Sequence, residues 1–456
     1  MLCALSPARA AVKPGDVITT DNAYKVAELL SPGNYQLVRG GMQLRIVPTD
    51  RLEWPPPFRS ATEKYSSQVQ LTPDGALTGY VAGQPFPLLD PNDPQMATKV
   101  MWNYSFRPLY SDDIDMRYPE VATFARNSTG WPLSYYTVAH FAFYNNIGRI
   151  EVPPIPTDPD ALSSGLRYRF GFFPFLEPTS MRGYGMVRER YIDPKREDNV
   201  WVYSPGTRKL RRESAGLMAD STGALPGFGG GGGSGFGSGA GGGAGAAAYA
   251  NTIDPDSYFG FSAKIEDFNY RFLGERQMLA SVHAEHSPAP QCPFDGGRTI
   301  CPENWEMRNL YVIEATVKSG LGSTIPKRIL YIDSEGWFVT ASDQYDREGK
   351  LWKTIATFNT YRDRPVPDAR IAIYPYKRMF QVGLVDIADR YGLRFGNLHG
   401  VPEIARTHSS ESDETDRETV VGALHPAGEE RSGQARGGSG EHGPPGNQIL
   451  RIHTEL

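Results

Sequence analysis

Between positions 310 and 361 the chain alternates short apolar stretches with tight polar turns, and that rhythm restricts this part to antiparallel sheet. Residues 310–317, 328–333, 337–345 and 351–361 are rich in the β-branched and aromatic side chains that suit pleated strands. Ser334-Glu335-Gly336 and Asp346-Arg347-Glu348-Gly349 are hairpin connections, too short to return a strand in parallel. The spacing predicts a meander.

Similar signals occur upstream. At 42–47, Met42, Leu44 and Ile46 alternate with Gln43 and Arg45, and further strands are expected at 67–71 and 188–192. Residues 201–212 read as strand, Pro-Gly turn, strand. The basic second arm of that hairpin is expected to be a solvated face, with a phosphate or headgroup site as the alternative. Ala23, Val26, Ala27 and Leu30 have helical spacing, so a short amphipathic helix is expected over 21–30, stopped by Pro32-Gly33. A second helix should enter through Asp90-Pro91-Asn92-Asp93-Pro94 and end near Trp102. Trp54-Pro55-Pro56-Pro57-Phe58 reads as an extended surface segment.

With 39% hydrophobic and 22% charged residues, the chain of 456 can bury a core for one large or two ordinary domains. A formal charge of −5 argues against general affinity for nucleic acid or anionic membrane. No stretch approaches the roughly 20 apolar residues of a membrane-spanning helix. Residues 227–248 are almost wholly Gly, Ala and Ser, which gives a flexible insert bounded at 223–250. Its G-x-G-x-x-G matches carry no dinucleotide meaning, because no strand leads into them and no helix follows in register. Charged, Ser, Gly and Pro residues dominate 401–456, which is expected to be a disordered tail on a single domain over 11–400.

Residues 1–10 resemble the end of a secretion signal: Ala8-Arg9-Ala10 fits the small-x-small cleavage pattern, and the missing basic and apolar regions would lie upstream. Cys292 and Cys301 flank a turn-forming loop with a Gly-Gly pair, so a disulfide is expected, with a free thiol pair as the alternative. Zinc would need more ligands than two cysteines supply.

The search for catalytic chemistry is negative. No G-x-S-x-G elbow, Walker A loop or H-E-x-x-H motif occurs. His283-Ala284-Glu285-His286 does not converge on a strand, because His286 would point away from the other two. Asn103-Tyr104-Ser105 and Asn127-Ser128-Thr129 match the glycosylation pattern, which is common by chance. No catalytic residue, metal site or cofactor is predicted.

Several rare aromatic motifs occur in an order that resembles the domain of unknown function 1329 family. They include Glu53-Trp54-Pro55-Pro56, Asp90-Pro91-Asn92-Asp93-Pro94 and Met101-Trp102-Asn103-Tyr104. Trp201-Val202-Tyr203-Ser204-Pro205-Gly206-Thr207-Arg208-Lys209-Leu210, Asp256-Ser257-Tyr258-Phe259-Gly260 and Arg328-Ile329-Leu330-Tyr331-Ile332-Asp333 continue the series. The stretch from Ser342-Asp343-Gln344-Tyr345 to Lys350-Leu351-Trp352 completes it. The resemblance implies a Gram-negative periplasmic protein with a mainly β fold similar to the lipoprotein carriers LolA and LolB. In that fold a strongly curved antiparallel sheet forms a half-open barrel, and short helices plug its concave side. It also implies partners: an outer-membrane β-barrel protein and a lipid-exporting transporter of the resistance–nodulation–division class. It carries over no catalytic residues, and it accounts for neither the Gly-rich insert nor the charged tail.

Two functions follow as expectations. The first is a carrier of a lipid or other hydrophobic molecule, with Phe170, Phe172, Phe173, Phe175, Trp201 and Tyr203 lining part of its cavity. The second is a structural adaptor of an envelope complex that holds no ligand.

Overall fold

The computed structural model describes residues 12–108, 110–116, 119–125, 133–214, 259–285, 301–321, 325–364, 373–388 and 393–395, with Cys292, Phe294 and Thr299 between them. The signal-like start, the Gly-rich insert, the charged tail, Asn127 and His286 lie outside the described residues.

The N-terminal part of the chain supplies helices and minor strands. β1 (Val17–Ile18), α1 (Pro32–Arg39), β2 (Leu44–Ile46) and α2 (Pro56–Tyr65) come first. The small hairpin β3 (Gln70–Leu71) and β4 (Leu77–Thr78) and helix α3 (Met96–Ser105) follow. The middle of the chain gives β5 (Asp113–Met116), β6 (Glu120–Ala125), β7 (Leu133–Asn145), a short α4 (Pro159–Ser164), β8 (Leu166–Glu177) and β9 (Gly185–Tyr191). The hairpin β10 (Asn199–Ser204) and β11 (Lys209–Ser214) ends that part. The last part gives β12 (Phe268–Ala280), β13 (Glu303–Val317), β14 (Lys327–Asp333), β15 (Val339–Tyr345), β16 (Leu351–Arg362), β17 (Arg378–Ala388) and β18 (Leu393–Phe395).

Three local expectations are corrected. Pro32 starts a helix rather than stopping one. It sits in the first turn, where its missing N–H would have had no partner, and the Ser31 hydroxyl caps the end by accepting from Asn34 N–H at 3.1 Å. The stretch expected to form the preceding helix is a 3₁₀ segment, Thr20–Val26, capped by Thr19. The triple proline likewise leads into a helix, because α2 begins at Pro56, and Phe58 is buried with its ring centroid 5.0 Å from that of Trp54. The strand expected over 67–71 shrinks to β3. Helix α3 and the strands of the meander fall where the spacing places them.

The long strands form one sixteen-stranded sheet, curled strongly into a half-barrel. Its order is β1-β2-β13-β14-β15-β16-β17-β18-β6-β7-β8-β9-β10-β11, with β12 beside β13 and β5 beside β7. The pairings are antiparallel except for β2 against β13. The middle of the chain thus extends the sheet made by the last part, and β18 joins the two through Leu393↔Ala125 and Arg394↔Phe124.

The meander is covered on both faces. Glu314, Ile329, Asp343 and Thr354 are in register on one face, and there Gly33 of α1 sits so close to Asp343 and Thr354 that no side chain would fit. Ile313, Leu330 and Ile332 face the other way and share a cluster with Val100, Met101 and Trp102 of α3. Asn103 of α3 is buried, with its side chain bonded to the Phe86 backbone, so it is not open to glycosylation. Cys292 and Cys301 are joined in a disulfide with Cα atoms 4.7 Å apart. Both lie in the largest core cluster with Trp305, Phe358 and Phe380, so the bridge is a core element and not a peripheral loop staple.

Candidate functional site

The site is built from strand alternation. Side chains two residues apart on a strand share a face, so Phe141, Phe143 and Asn145 of β7 point the same way, as do Tyr168, Phe170 and Phe172 of β8. The register sets Phe141 opposite Phe172, Phe143 opposite Phe170 and Asn145 opposite Tyr168. The rings make a ladder: centroids are 5.0 Å apart for Phe141–Phe172, 6.1 Å for Phe143–Phe170 and 5.0 Å for Phe143–Tyr168. Cross-strand aromatic pairs of this kind stabilise a sheet face by about 0.5–1.5 kcal/mol each beyond burial.

This ladder is one wall of a cavity of about 140 Å³. The rest of the lining comes from the end of α3 and the residues after it, 104–108 and 110–112, and from Phe259, Phe261 and Ile265. Tyr104 ties these two segments together, since its hydroxyl donates to the carbonyls of Phe259 and Phe261. Phe58 of α2 and Tyr80 contribute further rings. An apolar void of about 150 Å³ takes up a benzene-sized guest, so the space shown here holds a ring or the end of a chain and not a whole lipid.

Charge enters the cavity at a few points. Arg378 is paired with Glu151 at 2.7 Å, and Arg190 with Asp198 at 2.9 Å. Asp112 accepts from the N–H groups of Ile150, Glu151 and Val152 at 2.7–3.0 Å, yet burial holds its carboxyl above the usual range. Arg107 differs from these. Its guanidinium lies over the Tyr104 ring at 4.0 Å, and Nη1 donates to the Tyr104 carbonyl at 2.8 Å. Among the described residues its buried Nε has no hydrogen-bond acceptor and no carboxylate pairs with it. Burial pulls its pKa down from the ordinary arginine value. Behind Phe106, Arg167 stacks at 4.3 Å and donates to Ser105 Oγ at 2.6 Å, adding a second buried cation.

Of the residues proposed from the sequence, Phe170 and Phe172 line the cavity. Phe175 is buried behind Phe172 at 6.2 Å. Phe173 lies against Gly185, where even a Cβ would clash with its ring, and meets Tyr203 edge-on at 5.9 Å. Trp201 packs with Tyr144 and Val187 and donates Nε1–H to Glu189 at 3.1 Å. Sequence reasoning missed Phe141 and Phe143, whose alternating spacing was available as a strand signal, and Arg107, whose position facing rings only the tertiary fold reveals. His283 is engaged with Glu306 at 2.7 Å and Glu285 with Arg45 at 3.1 Å, so the His-Ala-Glu stretch serves the fold. Among the described residues no group of three or more His, Cys, Asp or Glu side chains could hold a metal, and no helix is long and apolar enough to cross a membrane.

Comparison with known proteins agrees with the resemblance. The family model described as a protein of unknown function (DUF1329) matches residues 17–228 and 245–414. An uncharacterized protein of Pseudomonas aeruginosa is 21% identical over an alignment that covers 78% of this chain and 72% of its own length. Among solved structures, a domain from Vibrio parahaemolyticus described as an outer membrane lipoprotein-sorting protein aligns at TM-score 0.38 and 13% identity, over 70% of this chain and 94% of the other. A DUF1329 family protein from Desulfovibrio piger aligns at 0.36 and 13%, over 63% and 83%. A LolA superfamily protein from Nitrosomonas europaea aligns at 0.30 and 12%, over 65% and 90%. TM-scores this low carry no argument about activity.

Proposed function

The chain belongs to the DUF1329 family of proteins of unknown function, and we propose that it is a carrier that shelters the apolar part of a small hydrophobic molecule or lipid in the bacterial envelope. The observation that carries this reading is the cavity walled by the Phe141–Phe172 ladder and the Tyr104 to Asp112 segment. A cavity lined by apolar rings offers dispersion contacts to an apolar guest. The volume of about 140 Å³ requires that a longer guest project out of the cavity or displace the covering segment.

The Cys292–Cys301 bridge favours an oxidising compartment, consistent with a periplasmic carrier. In this reading the guest passes between an inner-membrane transporter and an outer-membrane β-barrel protein.

Uptake of N-phenyl-1-naphthylamine, a neutral apolar fluorophore, tests the reading. Wild type should bind it saturably, and Phe172→Trp, which fills the cavity, should bind it much more weakly. Failure of wild type to bind, with Phe172→Trp indistinguishable from it, would favour a ligand-free adaptor instead.

A further inference from the structure

Four charged side chains other than Arg107 line the cavity, and each has a partner: Arg190 shares Asp198 with Arg188 and Lys264, Arg378 and Glu151 pair with each other, and Asp112 accepts from backbone N–H groups. Among the described charged residues that line the cavity, Arg107 is the exception. Its guanidinium lies over the rings of Tyr104 at 4.0 Å and Phe259 at 5.8 Å, with Nη1 donating to the Tyr104 carbonyl. Arg107 lines the cavity, and among the described residues no carboxylate pairs with it. A guanidinium holds a carboxylate through parallel, charge-assisted N–H donors.

From this arrangement we infer that the cavity takes a monoanionic amphiphile, with its carboxylate beside the Arg107 guanidinium and its apolar end between the rings of β7 and β8. The inference rests on the carrier reading and narrows it to a ligand class. A buried cation without a counter-ion is costly, and a ligand that brings one negative charge removes that cost. Ring stacking holds the guanidinium in its binding orientation before the ligand arrives, which limits the entropy lost on binding. Arg167 adds positive potential from behind Phe106.

Calorimetric titration of the full chain with 4-phenylbutyrate and with uncharged 4-phenyl-1-butanol tests this. Both ligands carry a ring sized to the cavity, and they differ in the head. The acid should bind about tenfold tighter than the alcohol, as expected for one charge-assisted hydrogen-bond pair. Arg107→Gln should abolish that preference, and Arg107→Lys should restore part of it. Equal binding of acid and alcohol by wild type would overturn the anionic-head inference and leave the carrier reading standing. Binding of neither would overturn both. Because the wild-type comparison decides by itself, a folding defect in a variant does not remove the test.

Discussion

Phe141 on β7 and Phe172 on β8 stand opposite each other across one antiparallel pair, with ring centroids 5.0 Å apart, and both line the cavity. The pair therefore supports the sheet and also forms a wall of the site. Truncating Phe172 to Ala should lower stability by about 3–5 kcal/mol, the range for removing a buried ring. Urea denaturation measures this, and added 4-phenyl-1-butanol should recover part of the loss by occupying the enlarged space.

A second prediction concerns pH. Asp343 is fully buried on β15, and burial raises its carboxyl to about 6 although Gly33 N–H, Ser31 Oγ and Thr354 Oγ1 donate to it. The unfolded group titrates near 3.8, so between about pH 4 and 6 the folded state holds more protons than the unfolded. This contribution to stability is present below pH 4, falls as pH rises through 6, and is constant above that. The full change is on the order of 3 kcal/mol. Asp343→Asn should remove it. The gap in unfolding free energy between variant and wild type should therefore shift in the variant's favour from pH 4 to pH 7, and a gap independent of pH would contradict this.

A third prediction comes from the β5 pair. Arg149 Nη1 and Nη2 each donate to Asp113 at 2.7 Å, and both side chains are 1% exposed. Arg149→Met leaves the carboxylate buried without its partner and should cost about 3–5 kcal/mol. Replacing both, as Arg149→Met with Asp113→Leu, should recover part of that loss in the same denaturation assay, because the uncompensated charge is gone while the Asn145, Val152 and Pro154 carbonyls still lose their donor.

The disulfide makes a fourth. Folded protein from an oxidising compartment should show no reactive thiol at Cys292 or Cys301 after denaturation without reductant. Replacing both by Ser should cost about 2–3 kcal/mol from loop entropy alone. It should cost further stability because the Cys292 side chain is fully buried in the main cluster. The expected result is a melting temperature lowered by several degrees, and an unchanged one would contradict the core placement of the bridge.

The meander was legible because alternation and short turns are local properties. Residues 310–361 specify strands and their order without reference to the rest of the chain. Helix starts were harder to read. Pro32 and the proline run at 55–57 look like helix breakers until Ser31 and the first-turn geometry show them as starts. The site was half legible. Phe170 and Phe172 stand out in an aromatic run, but β7 pairs with β8 across a connection containing α4, and no local pattern announces that Phe141 will face Phe172. Arg107 was not legible at all, because its significance lies in which rings and carboxylates surround it.

The carrier account stands on the cavity between the β7–β8 rings and the segment after α3. A crystal soaked in bromobenzene, with bromine located by anomalous scattering, tests that most directly. The account predicts a peak in contact with Phe141, Phe143 and Phe172 in wild type and its loss in Phe172→Trp. A peak elsewhere only, or none at a concentration that loads other apolar cavities of this size, would contradict it.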